Sequence, residues 1–194
     1  MILFTTCVLI WGSTWLAVPY QLAHAEPIVA VAWRYSLASI GLGTLILALK
    51  RSLYIPARFH KMALLIGLVI YCVENTLLYE AQKYMVSALL AVLSSCVIYL
   101  TVIFQRLMFK KALNAQVLIG ATFGLIGIIL IFLPELKNIS FELGLALGLL
   151  LAALGFIFSA YGNVLLEHVL EEGAPLLQMK FYAMTYGMIM LYIV

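Results

Sequence analysis

Two ionisable side chains, Arg34 and Glu74, lie inside long apolar stretches of the 194-residue sequence, where charge is rare. Counted inward from Pro27 and from Gln82 at 1.5 Å per residue, they lie about 10 and about 12 Å from the same face of a bilayer. A charge at this depth is costly and needs a partner or a function. The sequence therefore predicts an Arg34–Glu74 pair. Two interpretations stay open: the pair serves substrate or proton, or it only fixes the packing of two helices.

Further polar and aromatic residues are predicted at the same depth. Tyr71, Glu74 and Asn75 follow helical spacing, so they form a polar stripe on one helix. Four more residues of the predicted layer come from the first and fourth helices: Trp11, Trp15, Ser94 and Ser95. We interpret this layer as a cavity that opens to the outside, with aromatic walls. In it, Arg34 would orient an anionic substrate group or hold Glu74, and Glu74 would carry a coupling proton or cation.

The elements that must position these residues are membrane helices. The sequence is 66% hydrophobic and only 10% charged, with a mean hydropathy of +1.15, which excludes an ordinary aqueous domain. Seven apolar runs are long enough to span a bilayer, at about 2–21, 27–49, 62–82, 85–106, 115–133, 143–166 and 175–194. They are continuous rather than alternating, which favours helices over barrel strands. The predicted fold is an all-α integral membrane bundle of about seven transmembrane helices.

Basic residues predict the orientation. Seven of them flank the loops after the second and fourth helices: Lys50, Arg51, Arg58, Lys61, Arg106, Lys110 and Lys111. Lys83 and Lys137 lie on the other side. The positive-inside rule then places the N-terminus in the cytoplasm of a multi-pass protein of the inner or plasma membrane. No basic residue precedes Arg34, so the first run lacks the start of a signal peptide and is expected to be retained.

Motifs for other chemistry are missing from the sequence. It has no aspartate, three isolated histidines, and three cysteines without a CxxC pair, so no metal site is predicted. It also lacks a nucleotide-binding glycine loop and the GxSxG and HExxH motifs of hydrolases. We predict neither an enzyme nor a cofactor. The basic residues lie between apolar runs, so nucleic acid is not an expected partner, and the lipid bilayer and a small-molecule metabolite are.

Glycine stripes predict close helix contacts. Gly120, Gly124 and Gly127 line one face of the fifth helix, and Gly144 and Gly148 one face of the sixth. Small residues at this spacing let two helices approach each other closely. We expect these contacts within the chain. A homodimer through the same glycine-rich faces is the alternative.

An ordered set of short segments resembles the EamA-type drug/metabolite transporter superfamily. The segments are Leu9-Ile10-Trp11-Gly12-Ser13-Thr14-Trp15, Ala32-Trp33-Arg34-Tyr35, Tyr79-Glu80-Ala81-Gln82-Lys83-Tyr84, Ala91-Val92-Leu93-Ser94-Ser95, and Gly120 to Gly127 with Leu133-Pro134-Glu135. The resemblance implies ten helices in two inverted five-helix repeats, with substrate bound between the halves. Residues 1–135 would form the first repeat and residues 136–194 two helices of a second. The chain would then be a truncated form of a longer protein.

The resemblance also implies a function, namely gradient-coupled secondary transport of small organic metabolites by alternating access. It carries over only Trp11 and Arg34 as cavity residues. Two positions depart from the family pattern: Ile98 replaces a proline that would kink the fourth helix, and Lys110-Lys111 replaces a Gly-Glu pair. These departures argue against a kinked fourth helix and against a carboxylate at its cytoplasmic end. The alternative function is a non-transporting membrane subunit or scaffold whose glycine faces bind partner helices.

Overall fold

The all-α prediction is confirmed by a computed structural model. It describes residues 2–112, 114–131, 133–134 and 143–193, and for residues 2, 11, 14–17 and 19 only the backbone. The helices are α1 (Ile2–Leu22), α2 (Pro27–Ala48), α3 (Ala57–Ile66), a π-helix (Gly67–Glu74), α4 (Asn75–Ala81), α5 (Ser87–Ser94), α6 (Val97–Phe109), α7 (Ala115–Ile131), α8 (Leu143–Glu171) and α9 (Leu176–Ile193). Each of the seven predicted apolar runs is therefore mainly helical over its described residues.

Among the described residues, four helical stretches are long and apolar enough to cross a bilayer. They are Pro27–Ala48, Ala57–Ala81, Ser87–Phe109 and Leu143–Glu171, and α7 is a shorter apolar helix. About 20 residues of α-helix are needed to span the hydrocarbon core. The chain is thus a polytopic bundle. Two of the spans are not simple α-helices, because one contains the π-helix and another is interrupted between α5 and α6.

The stretch from α3 through the π-helix to α4 lies at the centre of the bundle. It packs against α2 on one side and against α8 and α9 on the other. The larger hydrophobic cluster joins these elements through fully buried side chains such as Val31, Ile66 and Met179. A smaller cluster joins α4 and α5 to α8 through Ala81, Leu90 and others. The two helices predicted to begin a second repeat are therefore packed on the first.

Of the two glycines predicted to make a close contact on α8, Gly148 does so, whereas a Cβ at Gly144 would lie 3.7 Å from Cδ1 of Tyr84, an ordinary contact distance. A Cβ at Gly148 would lie 2.9 Å from Cβ of Tyr84, and one at Gly155 would lie 2.8 Å from Cδ2 of Leu78. Gly162 faces Ile70 in the same way. These three glycines are seven residues apart, so they share one face of α8. The close approach of α8 to the central stretch depends on that face.

The prediction for the fifth helix is wrong. A Cβ at Gly120, Gly124 or Gly127 would meet no atom within 4 Å, counted over the described residues. No described residue of α7 is buried, and this helix packs loosely, mainly against α5 and α6. Small residues permit a close contact but do not create one, so the stripe is open in this chain.

A polar cluster ties the α6–α7 connection to the end of α8. Lys111 donates hydrogen bonds from Nζ to Oε1 of Glu171 (2.7 Å) and to Oε1 of Glu167 (2.9 Å). Gln105 donates to the second carboxylate oxygen of Glu167 at 2.6 Å. With Glu171 first and Glu167 second accepting hydrogen bonds from it, the pKa of Lys111 lies above its ordinary value. The lysine pair that departs from the family pattern thus supplies the cation of a cluster across the predicted repeats.

Replacing Lys111 by glutamine should lower Tm modestly, because the cluster is solvent-exposed and exposed ion pairs contribute little. The decrease should shrink between low and high salt, because salt screens exposed charges. Lys61→Gln is the matched control, since Lys61 is exposed and makes no ion pair with any described residue. A thermal melt in detergent at two salt concentrations measures both. An equal salt response in the two variants would contradict the ion cluster.

Candidate functional site

A π-helix places Glu74 in the bundle. The backbone of Gly67–Glu74 forms i→i+5 hydrogen bonds, and Glu74 is the last residue of this segment. Asn75 donates from its side-chain Nδ2 to the carbonyl oxygen of Ile70 at 2.7 Å. A wider turn leaves backbone groups without their usual partner, and this side chain satisfies one of them. π-Helical turns are rare and often occur at functional sites.

Arg34 is held by a chain of hydrogen bonds from two other helices. Its Nη1 donates to the hydroxyl oxygen of Tyr79 at 3.1 Å. Tyr79 in turn donates its hydroxyl hydrogen to Oε1 of Gln21 at 2.7 Å. Because that hydrogen is directed to Gln21, the Tyr79 oxygen is left as an acceptor for the guanidinium. The charge of Arg34 is therefore oriented by a neutral group.

The predicted Arg34–Glu74 ion pair is not formed. Within the described residues, the ion pairs join other side chains, and the one side-chain hydrogen bond of Arg34 goes to Tyr79. Tyr35 interacts electrostatically with both Arg34 and Glu74, and its ring packs edge-on against that of Tyr71 at 4.9 Å between centroids. Their shared interactions with Tyr35 place Arg34 and Glu74 in one region, but no ion pair joins them. Two buried tyrosines, Tyr35 and Tyr71, lie in the same region.

Glu74 faces α8 without an ionic partner. Its Oε2 is buried and has no hydrogen-bond partner in the described structure. The carboxyl group interacts with the Ser159 hydroxyl of α8, and Asn163, one turn further on, donates to that hydroxyl at 3.5 Å. The polar stripe of the third span therefore meets polar side chains of α8. This contact joins the two predicted repeats.

The remaining residues of the predicted layer are divided among different places. Tyr71 is buried beside Tyr35, as the stripe requires. Asn75 uses its amide on the π-helix backbone. Ser94 donates to the carbonyl of Ala91 in its own helix, and Ser95 lies at the break that follows. Trp11 and Trp15 lie on α1, but their side chains are outside the described structure. The arrangement brings Arg34, Tyr71 and Glu74 into one region.

The sequence of this helical chain matches a known protein family. The model of the EamA-like transporter family matches residues 1–133, which is more than half of the chain. The chain belongs to the EamA-like transporter family. A curated relative, an uncharacterized transporter of Buchnera aphidicola subsp. Schizaphis graminum (strain Sg), is 26% identical over 138 residues. That alignment covers 71% of this chain and 46% of the relative, so the chain spans about half the length of the curated relative it matches. No solved structure matches the chain.

Membership of this family confirms the resemblance read from the sequence and makes the chain a multi-pass protein of a transporter family. The matched residues contain Arg34, Tyr71 and Glu74, whereas Ser159 and Asn163 lie beyond them. The boundary between repeats at residue 135 stays a prediction.

The fourth span of this EamA-family chain is interrupted although it lacks the family proline. α5 ends at Ser94 and α6 begins at Val97, and the two residues between them form a turn. The amide groups of Ser95 and Cys96 bond to the carbonyl groups three residues earlier, which tightens the backbone. Ser95 and Cys96 keep right-handed helical backbone angles, so the span tightens locally without a proline. The expectation of an unkinked helix from Ile98 stays a prediction.

An apolar cavity lies beside this break. Its volume is about 630 Å³, and it lies between α5, α6, α7 and α8. Its lining residues are Leu93, Cys96, Tyr99, Leu100, Leu125, Leu149, Ala153, Phe156 and Ile157. None of the predicted site residues with a described side chain lines it. The cavity and the polar region around Arg34 and Glu74 are thus lined by different residues.

Sequence reasoning missed three polar neighbours. Gln21 and Tyr79 orient Arg34, and Ser159 faces Glu74. A signal existed for Tyr79, because it lies four residues after Asn75 and so continues the polar stripe of the third span. Gln21 and Ser159 are distant in sequence from their partners, and no local spacing pointed to either.

Proposed function

We propose that the chain forms part of a secondary transporter that moves small organic metabolites by alternating access, driven by a gradient. Membership of the EamA-like transporter family supports transport in general. The inter-repeat contact between the third span and α8, together with the two irregular spans, supports a mobile membrane bundle. The proposed substrate site is the region that Arg34, Tyr35 and Tyr71 share, with Tyr71 as an aromatic wall.

The observation that carries this proposal is that Arg34 lacks an ionic partner among the described residues. No carboxylate of the described residues neutralises it, and a tyrosine oxygen fixes its orientation. A guanidinium group has five N–H donors in a planar fork, which suits a carboxylate or phosphate group. An unpaired cation at membrane depth is costly and marks a pathway or a ligand. We therefore assign Arg34 to an anionic group of the substrate.

We further propose Glu74 as the coupling group for a proton or a cation. It lies where the first predicted repeat meets the second, so its charge state can influence their contact. The protein would lie in the inner or plasma membrane with its N-terminus in the cytoplasm. The lysine and arginine residues near the loops after α2 and α6 support this orientation. The Lys111 cluster would then close the cytoplasmic end.

A flux assay tests the proposal. The purified chain is reconstituted into proteoliposomes with a pH gradient, and uptake of small radiolabelled organic acids, amines and neutral solutes is compared. We expect gradient-dependent uptake of one or more organic acids, above empty liposomes and above the amines. Uptake of amines alone would contradict the assignment of Arg34, and no uptake of any solute would contradict transport by this chain.

One observation favours a second function. The open glycine face of α7 (Gly120, Gly124 and Gly127) contacts no described residue. A helix that binds a partner outside the chain needs such a free face of small residues. In that case the chain would be a non-transporting membrane subunit or scaffold, or it would form a homodimer through this face. Cysteine cross-linking from Gly124→Cys in liposomes would detect the homodimer. The face of α8 is already occupied by the central stretch and is not open to a partner.

A further inference from the structure

Glu74 combines three features that other glutamates of the described structure lack. Its Oε2 is buried without a hydrogen-bond partner. It is the terminal residue of a π-helix. It also lies at the contact between the third span and α8, where Gly155 approaches the Glu74 carbonyl oxygen to 3.5 Å from its Cβ position. By contrast, the carboxylates of Glu26, Glu80, Glu167 and Glu171 each bond to a lysine.

The groups that face Glu74 are neutral. Tyr35 of α2 and Tyr71 of the π-helix are the titratable side chains that interact with it, and α8 contributes the Ser159 hydroxyl. From α3, α4 and α9, the described structure records no charged side chain in contact with it. An ionised carboxylate in such surroundings carries a large desolvation cost, because nothing replaces its hydration. The neutral, protonated acid fits the site.

We propose that Glu74 binds and releases one proton at the contact between the π-helix and α8, and that this proton controls whether the two predicted repeats stay closed on each other. This inference rests on the proposed transport function and deepens it by choosing the proton as coupling ion. The protonated acid leaves the contact dry. Release breaks the O–H bond of the acid and transfers the proton to water as hydronium.

The carboxylate that remains must be hydrated. Glu74 as a whole is partly buried, but its Oε2 is fully buried where Gly155 and Gly162 bring α8 close to Leu78 and Ile70, so hydration of this oxygen requires local movement of the contact. Deprotonation therefore favours separation of α8 from the third span. The π-helix is suited to this change, because its backbone bonds are already shifted from the α pattern and one carbonyl is held by the Asn75 side chain.

Infrared spectroscopy of the full chain in lipid nanodiscs tests the protonation. At a pH where exposed glutamates are ionised, wild type should show the C=O stretch of one protonated carboxyl group. Glu74→Gln should lack this band. Glu80→Gln, which removes an ion-paired glutamate, should keep it. A wild-type spectrum without the band, or a band that persists in Glu74→Gln, would overturn the proposal.

Ser159→Ala provides a second variant in case Glu74→Gln does not fold. It keeps the acid and removes the hydroxyl that faces it, so the C=O band should shift in frequency. An unshifted band would show that the acid lies elsewhere and would overturn the assignment. None of these measurements needs a substrate, so they can succeed or fail independently of the flux assay.

Cys72 reports the opening of the contact. It lies two residues before Glu74 on the π-helix and is half-buried. In a Cys7→Ser, Cys96→Ala background, its rate of alkylation is measured against pH with and without Glu74→Gln. At each pH, the rate with Glu74 is divided by the rate with Glu74→Gln. This ratio cancels the effect of Cys72 ionisation on alkylation, because both proteins carry the same thiol. Release of one proton limits the rise of this ratio to about tenfold per pH unit, and we expect a rise of several-fold. A ratio that stays flat would overturn the coupling between proton and contact.

Discussion

Replacing Gly187 by alanine is expected to destabilise the bundle by about 1–3 kcal/mol, the usual cost of adding a methyl group to a filled core. A Cβ at Gly187 would lie 2.6 Å from Cβ of Tyr71 and 2.7 Å from the carbonyl oxygen of Gly67. Neither atom belongs to the flexible end of a side chain, so α9 must move away from the π-helix. The shift also displaces Tyr71, whose ring packs on Tyr35 beside Arg34. A thermal melt in detergent should show a clear decrease in Tm.

Gly124→Ala on α7 is the matched control. It makes the same chemical change, but its Cβ would meet no described atom within 4 Å. Alanine also loses less backbone freedom than glycine in a helix, so this variant should be neutral or more stable by up to about 1 kcal/mol. Equal losses of Tm in the two variants would show that the contact of α9 with the π-helix is not the tight one described here.

Arg34→Gln is expected to reduce the binding of organic anions by roughly thirtyfold or more, since truncating one partner of a buried charge pair costs about 2–5 kcal/mol. The reason is that glutamine keeps a donor but loses both the charge and the planar fork that match a carboxylate. Binding to the purified chain is measured by ligand-induced changes in Tm across the same organic acids used for flux.

Three companion variants sharpen this prediction. Arg34→Lys keeps the charge and should retain part of the affinity. Tyr79→Phe removes the hydroxyl oxygen that orients the guanidinium and should weaken binding less than loss of the charge. Arg51→Gln removes an exposed charge from the loop after α2 and should leave binding unchanged. Undiminished binding by Arg34→Gln, with its Tm lowered, would instead favour a purely structural role for Arg34.

Much of the architecture could be predicted from the sequence, because a bilayer imposes simple demands. Backbone groups in hydrocarbon must bond within their own segment, so long apolar runs have to form helices. All seven runs do so, and Pro27 begins α2 where a missing N–H has no cost. The family could be recognised because its motifs are local and occur in a fixed order.

What the sequence did not determine is how the helices are rotated and which of them meet. Counting residues gives only a depth, whereas an Arg34–Glu74 pair also requires that the two side chains face each other. In the structure Arg34 bonds to Tyr79 instead, and the buried Tyr35 and Tyr71 pack on each other nearby. Likewise, the glycines of α7 and α8 have similar patterns, but only those of α8 have a partner close by.

The two irregular spans are also features that the sequence did not determine. No proline marks the break after Ser94, and no local pattern marks the π-helix that ends at Glu74. The π-helix begins at Gly67, which Gly187 of α9 approaches closely. The sequence by itself thus determined an all-helical membrane protein of the EamA-like transporter family. Only the tertiary structure separated the two charges and placed Glu74 against α8, because these contacts depend on packing between segments far apart in the chain.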